Sequence, residues 1–251
     1  MVHRLNGNRG GVVMKFTYDA YSEMLDLLHK NNYRVCDYRN NELDTRKVIL
    51  RHDVDLSLSK AREFAAFEKE CGVRSTYFIM LSSSFYNVFT QNALKDIDAI
   101  AQNHDIGLHF DETVYQYLSE EDFKEKVQRE ADILSAITGV DIQSVSMHRP
   151  SPETLKKNYC FPKLINSYSS EFFKQYKYVS DSRMMWRENL EEIIKSGEYS
   201  ALHILTHPIW YEEKESDLKH VLSDFLAEAK GDRYNDLCNN IRNLQEIIAL
   251  N

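Results

Sequence analysis

Two kinds of hydrophobic pattern alternate along this chain. Short, mostly apolar runs at residues 48–51, 75–80, 106–110, 142–147, 178–180 and 201–206 have the length and residue types of buried strands. Between them lie stretches whose apolar positions recur every three or four residues. In the first, residues 17–31, Tyr18, Tyr21, Met24, Leu25 and Leu28 share one helical face. Similar stretches cover 58–71, 92–103, 120–138, 217–229 and 234–250, and Gly72 and Gly139 stand where two of them would stop. Residues 151–173 follow neither pattern. Strand alternating with helix predicts a mainly parallel sheet. With at least six such units and no nucleotide-type Gly-rich turn, a single (β/α) barrel fits better than a doubly wound sheet. Residues 1–13 are polar and Gly-rich and are set apart as an N-terminal extension, and residues 14–251 are read as one domain.

Charge and cysteine usage narrow the partners. A formal net charge of -8 over 251 residues argues against nucleic acid or an anionic membrane as the main partner. Cys36, Cys71, Cys160 and Cys238 are widely scattered with no Cys-x-x-Cys pair, which speaks against a disulfide framework or a Cys-rich zinc site. No apolar run approaches the ~18 residues of a membrane span, and no secretory leader is recognisable. A soluble, cytoplasmic protein with a small-molecule substrate is therefore expected.

The strand ends carry the chemistry. The run Val48-Ile49-Leu50 passes into Arg51-His52-Asp53-Val54-Asp55, an imidazole and two carboxylates at the carboxyl end of a buried strand. Two aspartates one residue apart repel each other unless a proton or a metal lies between them. His109 and Asp111 end the third run, His148-Arg149-Pro150 the fourth, Asp181 and Arg183 the fifth, and His207-Pro208 the last. In a parallel barrel these ends share one rim. Each has a plainer reading alone. Asp55 could cap the following helix, His109 could be a core histidine, Arg149 a loop ion-pair member, and Asp181 a surface partner of Arg183. Five such coincidences at one topological place are improbable together. Phe85, Tyr86, Tyr115 and Trp210 follow strand ends and could stack on a sugar ring. His104, before its strand, and His203, within one, are assigned to packing.

In this order the set resembles the five motifs of the polysaccharide deacetylase superfamily, the NodB-type carbohydrate esterases of family four. More closely it resembles a divergent branch that begins Arg-His-Asp-Val-Asp. The counterparts are His52 to Asp55, Asp105 to Asp111, His148 to Pro150, Asp181 to Trp186 and Leu205 to His207. The resemblance implies a distorted (β/α) barrel of about seven parallel strands and a divalent metal, most simply Zn²⁺. It further implies hydrolysis of an N-acyl group on an amino sugar, such as a precursor of surface polysaccharide. Asp53 would be the base, with Arg149 pairing it, and His207 the acid, oriented by Asp181. Asp55 and His109 would hold the metal. Arg183, Trp210, Tyr86 and Tyr115 would face substrate. Two departures stand out: Val54 separates the aspartates, and Thr113 occupies the place of the family's second histidine. Asp111 or His148 would then have to supply the third ligand. A sugar-binding protein without metal, or a hydrolase of cyclic amides, are the alternatives.

Overall fold

The computed structural model describes residues 14–41, 45–115 and 119–250, so the N-terminal extension lies outside the described residues. The elements run α1 (Tyr18–Lys30), β1 (Arg34–Cys36), β2 (Lys47–Val54), α2 (Leu58–Glu70), β3 (Thr76–Ile79), α3 (Gln91–Ala101), β4 (Asp105–Asp111), α4 (Glu120–Thr138) and β5 (Ser144–His148). They continue with α5 (Pro152–Lys156), β6 (Ile165–Asn166), β7 (Lys177–Ser180), α6 (Leu190–Ser196), β8 (Ala201–Thr206) and α7 (Leu218–Asn240). By packing, the chain divides into two units, Met1–Glu213 and Lys214–Asn251. The first contains every strand. The second consists of α7 and a short 3-10 turn, Leu244–Glu246.

The helices start where side chains can satisfy their first amide groups. Thr17, Ser57, Thr90 and Ser119 each accept from a backbone N–H three residues on. In α2 this places the cap on Ser57 and leaves Asp55 free of that task. The C-cap of α4 is Gly139 at φ +72°, a left-handed position that glycine tolerates without strain. The C-terminal region differs from the sequence reading. Residues 217–229 and 234–250 were expected as separate helices, but α7 runs unbroken through Gly231. A single interior glycine costs only about 1 kcal/mol against alanine, too little to break a helix alone.

Seven strands lie side by side in the order β6-β5-β4-β3-β2-β8-β7, and every pairing is parallel. β1 pairs with β2 from Lys47 to Ile49, and β3 takes over from Arg51 to Val54. Among the described residues no pairing joins β6 to β7, so the sheet curls into a distorted, incompletely closed (β/α) barrel. β1 and β6 were not predicted; with three and two residues they are too short to show a pattern.

Period-two alternation decides what faces the barrel interior. On β2, Ile49 packs with Tyr38, Phe78, Phe172, Tyr176 and Ala201 in an interior cluster. Arg51 and Asp53 continue that face toward the carboxyl rim. β2 extends through Val54, so His52 and Asp53 lie within the strand rather than after it. Gly107 on β4 leaves room for the Phe78 ring: a Cβ there would collide with Phe78 Cε1.

His52 points the other way, toward the helices. Its Nε2 lies 3.0 Å from Glu68 Oε1 on α2, and its Nδ1 lies 2.6 Å from Thr206 Oγ1 on β8. Glu68 is fully buried and also accepts from the hydroxyls of Tyr21, Tyr77 and Ser75. Burial opposes its charge, but His52, the hydroxyl donors and His104 outweigh that and hold the carboxyl at about 2. This buried network ties α1, α2, β2 and β3 together behind the rim. His104 belongs to it, with Nε2 at 2.9 Å from the Ala65 carbonyl. His203 packs against Tyr38, whose hydroxyl lies 2.7 Å from its Nε2.

Candidate active site at the carboxyl ends of the strands

Three strand ends converge on one point. Asp55 follows β2, His109 lies on β4 and His148 ends β5, and one donor atom of each lies within 4.8 Å of the others. Asp55 Oδ1 stands 3.2 Å from His109 Nε2 and 3.4 Å from His148 Nδ1, and the two ring nitrogens are 3.2 Å apart. Asp55 Oδ1 is buried without a hydrogen-bond partner among the described residues. A buried, unsatisfied carboxylate oxygen facing two imidazole nitrogens fits a cation.

Asp53, one inward position below, is clasped by Arg51. Arg51 Nε donates to Oδ1 at 2.9 Å and Nη2 to Oδ2 at 2.8 Å, a two-pronged pairing within a single strand. Both residues are buried. Although burial opposes ionisation, Arg51 above all keeps the Asp53 carboxyl below its ordinary value. The guanidinium also donates to Ser146 Oγ on β5 and lies over the rings of Tyr168 and Phe78, at 4.9 and 5.2 Å from their centroids.

Across the cleft, His207 Nδ1 lies 2.6 Å from Asp181 Oδ1, and the His207 backbone N–H donates to Asp181 Oδ2 at 3.0 Å. Asp181 is fully buried and is spent on this histidine rather than on Arg183. Burial works against a charged imidazole here, but the Asp181 carboxylate outweighs it and pushes His207 up to about 9. Its Nε2 lies 3.9 Å from Asp55 Oδ2. The indole of Trp210 is buried with its ring 6.1 Å from that of His207, and its N–H has no partner among the described residues.

The remaining expected residues are placed differently. Arg149 does not reach Asp53. It is exposed, sits at φ +46° and donates from Nε to His148 Nε2 at 2.8 Å. Arg51 stands in its place because alternation puts residues 51 and 53 on one face of one strand, whereas Arg149 follows β5 on a loop. Asp111 is absent from the convergent set: its carboxylate accepts from the backbone N–H and hydroxyl of Thr113 at 2.9 and 2.7 Å, starting a 3-10 turn. Tyr115 stacks on Phe110, on the outward face of β4, and donates to Glu130 of α4, so its hydroxyl is taken on the helix side. Tyr86 donates to the Val54 carbonyl at 2.7 Å and accepts from Met80 N at 2.8 Å, which fastens the loop after β3 beside Asp55. Arg183 is exposed at φ +61°, with Met184 beside it at +53°. Left-handed non-glycine residues thus occur on the loops after β5 and β7, both at the rim. Sequence reading missed Arg51 and Ser146. The i, i+2, i+4 spacing of Arg51, Asp53 and Asp55 on a strand is a signal that could have found the first. No local signal marks the second.

No protein-family model and no curated protein matches the chain. Solved structures do. A CE4 family pseudoenzyme from Bacillus anthracis matches with 14% identity, covering 75% of this chain and 62%, under two thirds, of that one, at a TM-score of 0.42. The Streptococcus pyogenes deacetylase PplD matches with 12% identity over 81% of this chain and 87% of that one, at a TM-score of 0.44. The catalytic domain of a peptidoglycan N-acetylglucosamine deacetylase from Eubacterium rectale matches with 16% identity over 76% and 90%, at a TM-score of 0.43. The chain is thus similar, at low identity, to a solved pseudoenzyme of the CE4 family and to two solved deacetylases.

Proposed function

We propose that this protein is a metal-dependent hydrolase of the polysaccharide deacetylase type that removes an N-acyl group, most simply acetyl, from an amino sugar. The observation that carries the reading is the convergence of Asp55, His109 and His148 beside a clasped carboxylate and a carboxylate-bound imidazole. These three residues would hold a divalent ion, and their N, N, O donor set suits Zn²⁺. The chemistry supplied by such an ion is polarisation of the acyl carbonyl and acidification of water.

The chain's own residues perform the rest. Asp53, held ionised by Arg51, takes a proton from the attacking water as the new C–O bond forms. His207, charged and oriented by Asp181, gives its proton to the amide nitrogen as the C–N bond breaks, so that the amine leaves neutral and the acyl group leaves as the carboxylic acid. The proton held by Asp53 then returns through solvent to His207. Trp210, next to His207, and Arg183, on the rim, are the proposed sugar contacts. The four unpaired cysteines suit a reducing compartment, and with it a cytoplasmic precursor of surface polysaccharide as substrate. Among the described residues, no helix is long and apolar enough to cross a membrane.

The sugar-binding alternative rested on Thr113. His148 supplies the donor that Thr113 cannot, which favours the hydrolase. The test is elemental analysis of the purified protein together with acetate release from N-acetylated amino sugars. Near-stoichiometric first-row metal in the native chain, lost with activity in His109→Ala, is expected. A native chain that takes up no metal on titration overturns the reading.

A further inference from the structure

Ser146 has a place in this site that no motif assigns. It is fully buried on β5, in register with His109 on β4, and its hydroxyl oxygen meets three groups at once. Arg51 Nη2 donates to it, His109 Nδ1 lies 2.8 Å away, and Asp53 Oδ1 lies 3.5 Å away. A hydroxyl has one proton to give and two lone pairs to receive. An arginine nitrogen can only donate, so one lone pair is committed to Arg51.

The direction of the His109 contact follows from the other end. Arg149 Nε donates to His148 Nε2, which therefore carries no proton, and a neutral His148 must carry its proton on Nδ1. That Nδ1 lies 3.2 Å from His109 Nε2, nearer than Asp55 Oδ1 at 3.4 Å, which makes the His109 nitrogen its acceptor. His109 carries its own proton on Nδ1 and gives it to Ser146, whose hydroxyl is left to point at Asp53. Every hydrogen bond from Arg149 through His148, His109 and Ser146 to Asp53 then has one donor and one acceptor.

Resting on the metal-dependent reading above, we propose that Ser146 is a positioning residue serving both halves of the site. It locks the His109 ring with the Nε2 lone pair facing Asp55, ready to bind metal. It also joins Arg51 in fixing the rotation of the Asp53 carboxylate. A ligating histidine whose second nitrogen is anchored in this way loses roughly 10–100-fold in metal affinity when the anchor is removed.

The test reads two quantities in the full chain. Nitrogen-15 imidazole spectra of the metal-free protein report which His109 nitrogen holds the proton, and calorimetric titration with Zn²⁺ reports affinity. The expectation is an Nδ1–H His109 in the native chain. Ser146→Ala is expected to show mixed His109 protonation and zinc binding weakened about 10–100-fold. Ser146→Thr, which keeps the hydroxyl, is expected to restore the native spectrum. A native His109 protonated on Nε2, or a folded Ser146→Ala chain with unchanged spectrum and affinity, overturns the proposal. A native chain that binds no zinc sinks the metal-dependent reading instead, while the spectra of the metal-free native chain and Ser146→Ala still decide the role of Ser146.

Discussion

Arg51 clasps Asp53 with two parallel hydrogen bonds, 2.9 and 2.8 Å long, from a position two residues earlier on the same strand. The proposed base and its support are therefore built into β2 and do not depend on a loop closing over them. Arg51→Lys keeps a positive charge but loses the fork. We expect its kcat to fall about 10–100-fold with little change in KM, because Asp53 remains ionised but can rotate. Arg51→Ala leaves a buried carboxylate without its counterion and should lower stability by about 3–5 kcal/mol. Steady-state kinetics and urea unfolding separate the two effects.

Arg149 is expected to act in the opposite direction from a supporting arginine. Its hydrogen bond to His148 Nε2 favours the ring form whose Nδ1 is protonated, and that nitrogen faces Asp55 and His109. Binding metal through Nδ1 must break this bond. Arg149→Ala should therefore tighten zinc binding by about 3–10-fold, the worth of one hydrogen bond of about 1 kcal/mol. Calorimetric titration checks it, and a weaker affinity would contradict this assignment.

His207, pushed up to about 9 by Asp181, keeps its proton through neutral pH. A raised value means the acid form is present below about 9 and lost above it. The rate should be limited by this group only as pH rises through that range. Replacing Asp181 with Asn removes the charge that raises His207, so the high-pH limb of the rate profile should move to lower pH. A limb that does not move would remove His207 as the acid.

Glu68 lies in the buried network behind the rim and is expected to act on stability. Its folded value of about 2 lies below the ordinary 4.5, so its contribution is full above about 4.5 and is lost as pH falls from there toward 2. The gap corresponds to about 3 kcal/mol. Glu68→Gln should cost an amount of that order at pH 7, and the difference from the native chain should shrink across that acid window. Urea unfolding at pH 7, 4 and 3 measures it.

Much of the site was visible before the fold. Asp53, Asp55, His109, His148, Asp181 and His207 stand at predicted strand ends, and parallel strands bring such ends to one rim whatever the loops do. Strand and helix positions in the barrel were legible from periodicity, apart from β1 and β6 and the short helices α5 and α6. The C-terminal region was read as two helices, 217–229 and 234–250, whereas α7 runs unbroken from Leu218 to Asn240.

The sequence by itself determined which residues could do chemistry and that they would gather at the carboxyl ends, since hydrophobic period and strand polarity are local properties. Only the tertiary structure decided who pairs with whom. His148 rather than Asp111 completes the three-donor set, because Asp111 is close enough to Thr113 to be spent on a turn. Arg51 rather than Arg149 holds Asp53, because alternation on β2 turns both side chains inward. Ser146 joins them only because β4 and β5 run in a register that sets it beside His109. Strand register and side-chain direction depend on neighbours distant in sequence, and no local pattern encodes them.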